Sequence, residues 1–254
     1  MTTATDRTFD LKVLGVEVAE GLRATLREPT ALFFSVLMPV GLFALFASLF
    51  GGQTAPSGLP VAATMLATYG AYGVVAVMLV NPGIRTAEDR TSGWLRVKKV
   101  SAAPIGATIA AKVLSALPYA LAVMLALTAV SFAVAGPVLG FGTALRLIAV
   151  MLVGSLPFAL FSLAVGFVVP PNAAAAVLNA VMFPMVIASG LWFPAGMLPG
   201  FVAAIMPFLP TYHLAQLALA QLTGADATIH VIALLITAVV GGLLAGWAYR
   251  NLRV

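Results

Sequence analysis

Six long stretches of this chain carry no charged side chain, and they constrain its fold more than anything else in it. They are Thr30–Phe50, Leu59–Gly83, Val113–Ala135, Leu147–Val168, Ala173–Phe193 and Ile229–Tyr249. A helix rises 1.5 Å per residue, so about 20 residues cross a hydrocarbon core of about 30 Å. Lipid cannot hydrogen-bond the backbone, so only helices and closed barrels span it. Barrel strands would be shorter and would alternate polar with apolar residues. These runs are apolar on every side, which selects helices. Apolar residues make up 62% of the chain and charged ones 8%. An ordinary soluble domain has about 25% charged residues. The sequence therefore predicts an all-α membrane protein with six transmembrane helices.

The connections fit this division. Gly51-Gly52-Gln53 and Pro56-Ser57-Gly58 punctuate the first, Gly136-Pro137 and Gly140 the third, and Pro170-Pro171-Asn172 makes a tight hairpin between spans 4 and 5. Ala195–Gly224 has no ionised side chain yet is interrupted by Pro199, Pro207 and Pro210, and proline breaks a helix interior. Two short helices, near Phe201–Met206 and Tyr212–Leu222, are expected at the outer face or re-entering it. A seventh full span is the alternative.

Charge sets the topology. With both ends inside and six spans, twelve of the thirteen basic residues are cytoplasmic and Arg146 alone is outside. That is a strong positive-inside bias. A seventh span would carry Arg250 and Arg253 outside. The first apolar run follows a polar segment with no cleavable signal pattern, so it reads as a retained span. Within that segment, Leu11, Leu14, Val18, Leu22 and Leu26 recur at helical spacing, opposite Glu17, Glu20, Arg23 and Arg27. This predicts an amphipathic helix along the cytoplasmic interface. Period alone leaves open whether it is an anchor or a partner contact.

Residues for chemistry are scarce. With no cysteine there are no disulfides or thiolate sites. His213 and His230 are far apart in sequence, no HExxH occurs, and no metal site is expected. The spans hold no Asp, Glu, Lys or Arg, the groups that usually couple transport to a proton or sodium gradient. Lys112 sits at the inner edge of span 3 and can snorkel. There is no GxxxxGK[ST] phosphate loop, so the chain is not expected to be an enzyme or to bind ATP in that way. Tyr69, Tyr72, Asn81, Asn179 and Met182 are mild groups in or beside spans 2 and 5. They read either as interhelical hydrogen bonding and packing or as the lining of a substrate path. Gly242 and Gly246 make a small-xxx-small pair on span 6.

The densest charge lies between spans 2 and 3: Arg85, Glu88, Asp89, Arg90, Arg96, Lys98 and Lys99, with Trp94 and Leu95 among them. A positive-inside loop explains the basic residues. It does not explain the acidic pair or the tryptophan, and aromatics and arginine favour protein contacts. A short docking helix is expected here.

The run Glu88-Asp89-Arg90-Thr91-Ser92-Gly93-Trp94-Leu95-Arg96, followed by Ala103-Pro104 and Ala111-Lys112, resembles the cytoplasmic loop of type 2 ABC-transporter permeases. Ser189-Gly190-Leu191-Trp192-Phe193-Pro194, with Leu198-Pro199, Pro207 and Pro210-Thr211-Tyr212, is similar to the family's outer-face segment. Trp94 stands where that family more often has a small or hydroxyl residue. The resemblance runs from the N-terminal helix through all six spans, and the daunorubicin-resistance type of drug exporter looks closest.

The resemblance implies a connecting helix over residues 1–28 and a permease domain over 29–254. It implies a coupling loop over 84–104, with Glu88, Asp89, Arg90, Gly93, Trp94, Leu95 and Arg96 meeting a separate ATP-binding subunit. Glu17, Glu20, Arg23 and Arg27 would add a second contact. Gly190, Phe193, Pro194, Pro199, Pro210 and Tyr212 would form an outer gate within 194–224. No cofactor is expected on this chain, with ATP and Mg on the partner. Two permease subunits would pair in a bacterial cytoplasmic membrane to export a hydrophobic or amphiphilic small molecule. A polysaccharide or lipid-linked substrate, or a passive channel or scaffold, is the alternative.

Overall fold

The structure is a computed structural model that describes residues 15–16, 18–20, 23, 29–55, 57–95, 105–193 and 195–251. Nine α-helices are defined among these residues: α1 (Pro29–Phe50), α2 (Val61–Thr91), α3 (Ile105–Ala135), α4 (Phe141–Gly154), α5 (Leu156–Val168), α6 (Pro171–Ala188), α7 (Gly200–Ile205), α8 (Pro210–Thr223) and α9 (Thr228–Arg250). Among the described residues the only β pairing is an isolated bridge, Thr54 to Pro60, closing the α1–α2 turn.

The six expected spans map onto α1, α2, α3, the α4–α5 pair, α6 and α9. Five of these, with α4–α5 counted as one, are long and apolar enough to cross a bilayer over their described residues. The remaining one, α1, is 22 residues long, with side chains described from Val36. Ser155 divides span 4, but the two halves remain one span, Phe141–Val168. The chain is an all-α membrane protein, as the uncharged runs predict.

The bundle is organised around α2. It packs against α1, α3, α5, α6 and α8, and nearly all of its residues from Ala62 to Gly83 are buried within the protomer. Its sequence explains the position. Small residues let neighbouring backbones approach, which is what drives helix association in lipid. A Cβ on Gly73 would lie 2.5 Å from Val123 Cγ1, and one on Gly70 would lie 3.1 Å from Met124 Sδ. Spans 4 and 2 cross closest at Gly166, where a Cβ would lie 2.2 Å from the Gly83 carbonyl oxygen. By contrast α9 leaves most of its apolar surface, including Leu235, Val239 and Leu243, exposed to the lipid side. Its tight face differs from the expected one. Gly241, with Ala245 and Ala248 buried beside it, meets Leu160, Phe161 and Pro157 of span 4. Gly242 only grazes Leu160, and a Cβ on Gly246 would meet nothing. The small-xxx-small contact is therefore Gly241 and Ala245, one residue earlier than read from sequence.

Candidate coupling end and outer segment

Two groups of residues singled out in the sequence are the C-terminal end of α2 and the segment that follows α6. The first is at the C-terminal end of α2. Its 31 residues span about 46 Å, well beyond a hydrocarbon core of about 30 Å. The end of span 2 was placed at Gly83 because charge begins at Arg85. The helix continues past that point for two more turns. Glu88, Asp89 and Arg90 thus belong to the end of α2 and not to a separate loop helix.

What stops α2 is local. Gly93 has φ of +81°, a conformation glycine adopts without steric cost. The Ser92 N–H donates to Glu88 O at 2.9 Å and the Gly93 N–H to Arg90 O at 3.2 Å. Helix resumes at once with Trp94 and Leu95. Leu95 is buried and Trp94 is 46% exposed. The turn thus sets an apolar anchor beside an exposed indole. Arg96 and the remainder of the expected loop to residue 104 lie outside the described residues.

Both charged residues next to the turn are engaged within the chain. Asp89 accepts from Lys112 Nζ at 2.5 Å, and the lysine side chain is only 12% exposed. Lys112 lies at the inner edge of span 3. It forms an ion pair that ties α2 to α3. The Arg90 guanidinium donates to Phe167 O at 3.2 Å and to Val168 O at 2.6 Å. These are C-terminal carbonyls of α5, which lack helical partners and carry the negative end of the helix dipole. A cation there caps α5 and ties α2 to it. Glu88 faces Arg85 at 3.7 Å, one turn earlier on the same helix. The sequence held no signal for the Phe167 and Val168 acceptors, because the bonds are to backbone.

The N-terminal region is described only in part. Gly15, Val16, Val18 to Glu20 and Arg23 are helical, and Glu20 and Arg23 are exposed. Glu17 and Arg27 lie outside the described residues.

The second group follows span 5. α6 ends in a Schellman turn: Gly190, at φ +73°, donates to Ile187 O at 3.1 Å, and Leu191 donates to Val186 O at 3.3 Å. The motif's apolar contact is present in the buried pair Leu191 and Val186. Phe193 is exposed, and Pro194 lies outside the described residues. Pro199 caps α7, and Pro210 opens α8 at a position where its missing N–H costs nothing. The two short helices are where the prolines place them. Residues Gly200–Phe208 and Pro210–Thr223 meet at 82°, so they do not form a straight seventh span. Phe201 and Phe208 are 71% and 83% exposed, which suits an apolar surrounding. α8 is fastened to the end of α6 by the Thr211 hydroxyl, which bonds the Ser189 hydroxyl and donates to Met185 O at 3.3 Å. Tyr212 stands edge-on to His213 and His230. The two histidines, far apart in sequence, meet in space.

The residues considered for a path are placed differently from one another. Tyr69 and Tyr72 are enclosed in the core. Tyr69 packs on Phe43 and Phe46, and Tyr72 on Trp192. Met182 is buried too. Asn179 is partly exposed and donates to Ala175 O of its own helix at 2.8 Å, and Asn81 is also partly exposed. These contacts give Tyr69, Tyr72 and Met182 a packing role within one protomer.

Comparison with known proteins decides what this arrangement belongs to. Residues 14–222 match the family model described as ABC-2 type transporter. The chain belongs to that family. It is also similar to the Bacillus subtilis (strain 168) protein named "Putative transport permease YvfS", at 21% identity over 214 residues, covering 80% of this chain and 82% of that one. The matched region takes in the end of α2, the hairpin between spans 4 and 5, and the outer segment up to α8. The ABC-2 permease is a multi-pass membrane protein and a membrane subunit of a transporter.

Proposed function

We propose that this ABC-2 permease is the membrane half of an ATP-driven exporter for a hydrophobic or amphiphilic small molecule of the drug or antibiotic kind. The ATP-hydrolysing half is a separate subunit carrying ATP and Mg, and two permeases pair in the assembly, as a homodimer. The membrane is the bacterial cytoplasmic membrane with both termini inside. Six crossings place the ends on one side, and twelve of thirteen basic residues then share it.

The observation that carries the reading is the build of the α2 end. A helix longer than a bilayer needs, a stop at Gly93, and an exposed Trp94 beside a buried Leu95 support a docking role. Its ties to α3 through Lys112 and to α5 through the Phe167 and Val168 carbonyls make it a transmission element too. In this reading Glu88, Gly93, Trp94, Leu95 and Arg96 meet the ATPase, with Glu17, Glu20, Arg23 and Arg27 as a second contact. Asp89 and Arg90 pass the motion on to the spans. The segment from Gly190 to Tyr212, with Phe193, Pro194, Pro199 and Pro210, is the outer gate. Uncharged spans favour an apolar or amphiphilic cargo over a large polyanion.

The test is gentle extraction of the tagged chain from its native membrane. An ATPase subunit with a phosphate loop is expected in stoichiometric amount. Trp94→Ala and Glu88→Lys are expected to release it while the permease stays folded. Isolation with no ATPase across detergents and nanodiscs would turn the reading toward a passive channel or scaffold.

A further inference from the structure

His213 lies in the first turn of α8 and His230 in the first turn of α9. Their Nδ1 atoms stand 2.9 Å apart, and the rings are 5.2 Å centroid to centroid at 46°. Both side chains are partly exposed. His230 also lines a cleft of about 220 Å³ with Thr64, Gln216, Thr223 and Asp226.

A bond between two Nδ1 atoms needs one ring protonated there and the other presenting its lone pair. When the first ring carries its proton on Nε2 instead, the two Nδ1 atoms present two lone pairs only 2.9 Å apart. Imidazole nitrogen bound to zinc lies about 2.0–2.1 Å from the metal. At a tetrahedral angle the two nitrogens would stand about 3.3–3.4 Å apart. The pair needs to open by only about half an ångström to reach that spacing. Neutral imidazole suits zinc, nickel and copper, whereas magnesium and calcium take oxygen ligands. Asp226 is next in the surroundings. It lines the same cleft as His230. An ionised carboxylate there favours a bound dication. Among the described residues no third His, Cys, Asp or Glu joins the group closely enough to complete a ligand set. Water would complete the coordination of an ion held there.

We propose that His213 and His230 form a two-imidazole site for a divalent zinc, nickel or copper ion, and that the ion pins α8 to α9. Binding replaces one shared proton with two coordinate bonds across two helices. It rests on the geometry of the histidines and stands whether or not the chain partners an ATPase.

The test uses the whole chain, without a polyhistidine tag, in detergent micelles titrated with zinc. One ion per chain is expected, with a rise in unfolding temperature that grows with free zinc as mass action requires. X-ray absorption on the zinc-loaded wild type is expected to show two imidazoles bound to the metal. That measurement needs no variant. His213→Ala and His230→Ala are each expected to weaken binding about tenfold or more, since losing a ligand costs at least what losing its supporting partner does. Zinc bound through one imidazole or none overturns the proposal. So does affinity unchanged in both variants.

Discussion

At the scale of single residues, the contacts that matter at the end of α2 are those where one side chain serves a neighbouring helix. Arg90 is the clearest. Its two acceptors are end-of-helix carbonyls that α5 cannot satisfy itself. Arg90→Gln keeps some donor capacity but loses the charge. We expect it to lower stability by about 1.5–3 kcal/mol, the range for a charge-assisted hydrogen bond, read as a fall in unfolding temperature in detergent. The Asp89–Lys112 pair is less symmetric than it looks. Lys112 is mostly covered and Asp89 is about one-third exposed. Asp89→Asn removes the carboxylate that the covered ammonium bonds, and breaking an ion pair one-sidedly costs more than the pair contributes. The double variant with Lys112→Met should therefore recover part of the loss, measured as a double-mutant cycle. No recovery would mean that the two side chains act independently. Gly166 is a purely steric case. Its Cβ would meet backbone at 2.2 Å, not a flexible side-chain end. Gly166→Ala should cost about 1–3 kcal/mol through overpacking, while Gly246→Ala, facing open space, should change stability little in the same unfolding measurement.

At the scale of elements, the spans were legible and their neighbours were not. Uncharged length alone fixes where helices must cross, because lipid leaves the backbone no other solution. The same logic does not say where helix α2 ends. Loss of apolarity marks where lipid ends, but a helix persists until something stops it, and here the stop is Gly93 and not Arg85. Proline made the short helices of the outer segment readable, since Pro199 and Pro210 both sit at helix starts. The tight face of α9 was misread by one residue. A repeat of small residues shows that a close contact exists, but Gly241 and Gly242 are equally small, and only the partner's position selects between them. The histidine pair stayed hidden for another reason: the two rings are 17 residues apart, on two helices whose crossing no local pattern encodes. The α2 turn offers a direct check at this scale. Gly93→Ala places a Cβ on a residue at φ +81°, costing about 1 kcal/mol in the left-handed region. The loss in permease stability should be small. A larger loss of ATPase binding than of stability, compared by pull-down and by unfolding, would mark the turn as a docking feature.

At the scale of the whole molecule, docking and transmission are separate tasks, and on the proposed reading they fall to different residues. Trp94 is the exposed aromatic side chain at the turn, while Asp89 and Arg90 bond back into the bundle to α3 and α5. If α2 carries ATPase motion to the spans, these groups must fail in different ways. Trp94→Ala removes contact area at the proposed interface, so it should release the ATPase and lose transport together. The paired variant Asp89→Asn with Arg90→Gln leaves the indole and the turn in place. It should retain the ATPase and its basal hydrolysis, but lose the stimulation of hydrolysis by substrate. Coupling between distant sites is typically about 1–3 kcal/mol, or about 5–150-fold, so a reduction of stimulation within that range is expected. The assay is ATP hydrolysis by the reconstituted permease–ATPase complex with and without an amphiphilic drug, alongside quantitation of the bound ATPase. Retained binding with lost stimulation would establish α2 as a lever tied to two helices. Loss of binding in the paired variant would place Asp89 or Arg90 in the docking surface itself, and unchanged stimulation would mean that the ties to α3 and α5 only hold the helix ends together.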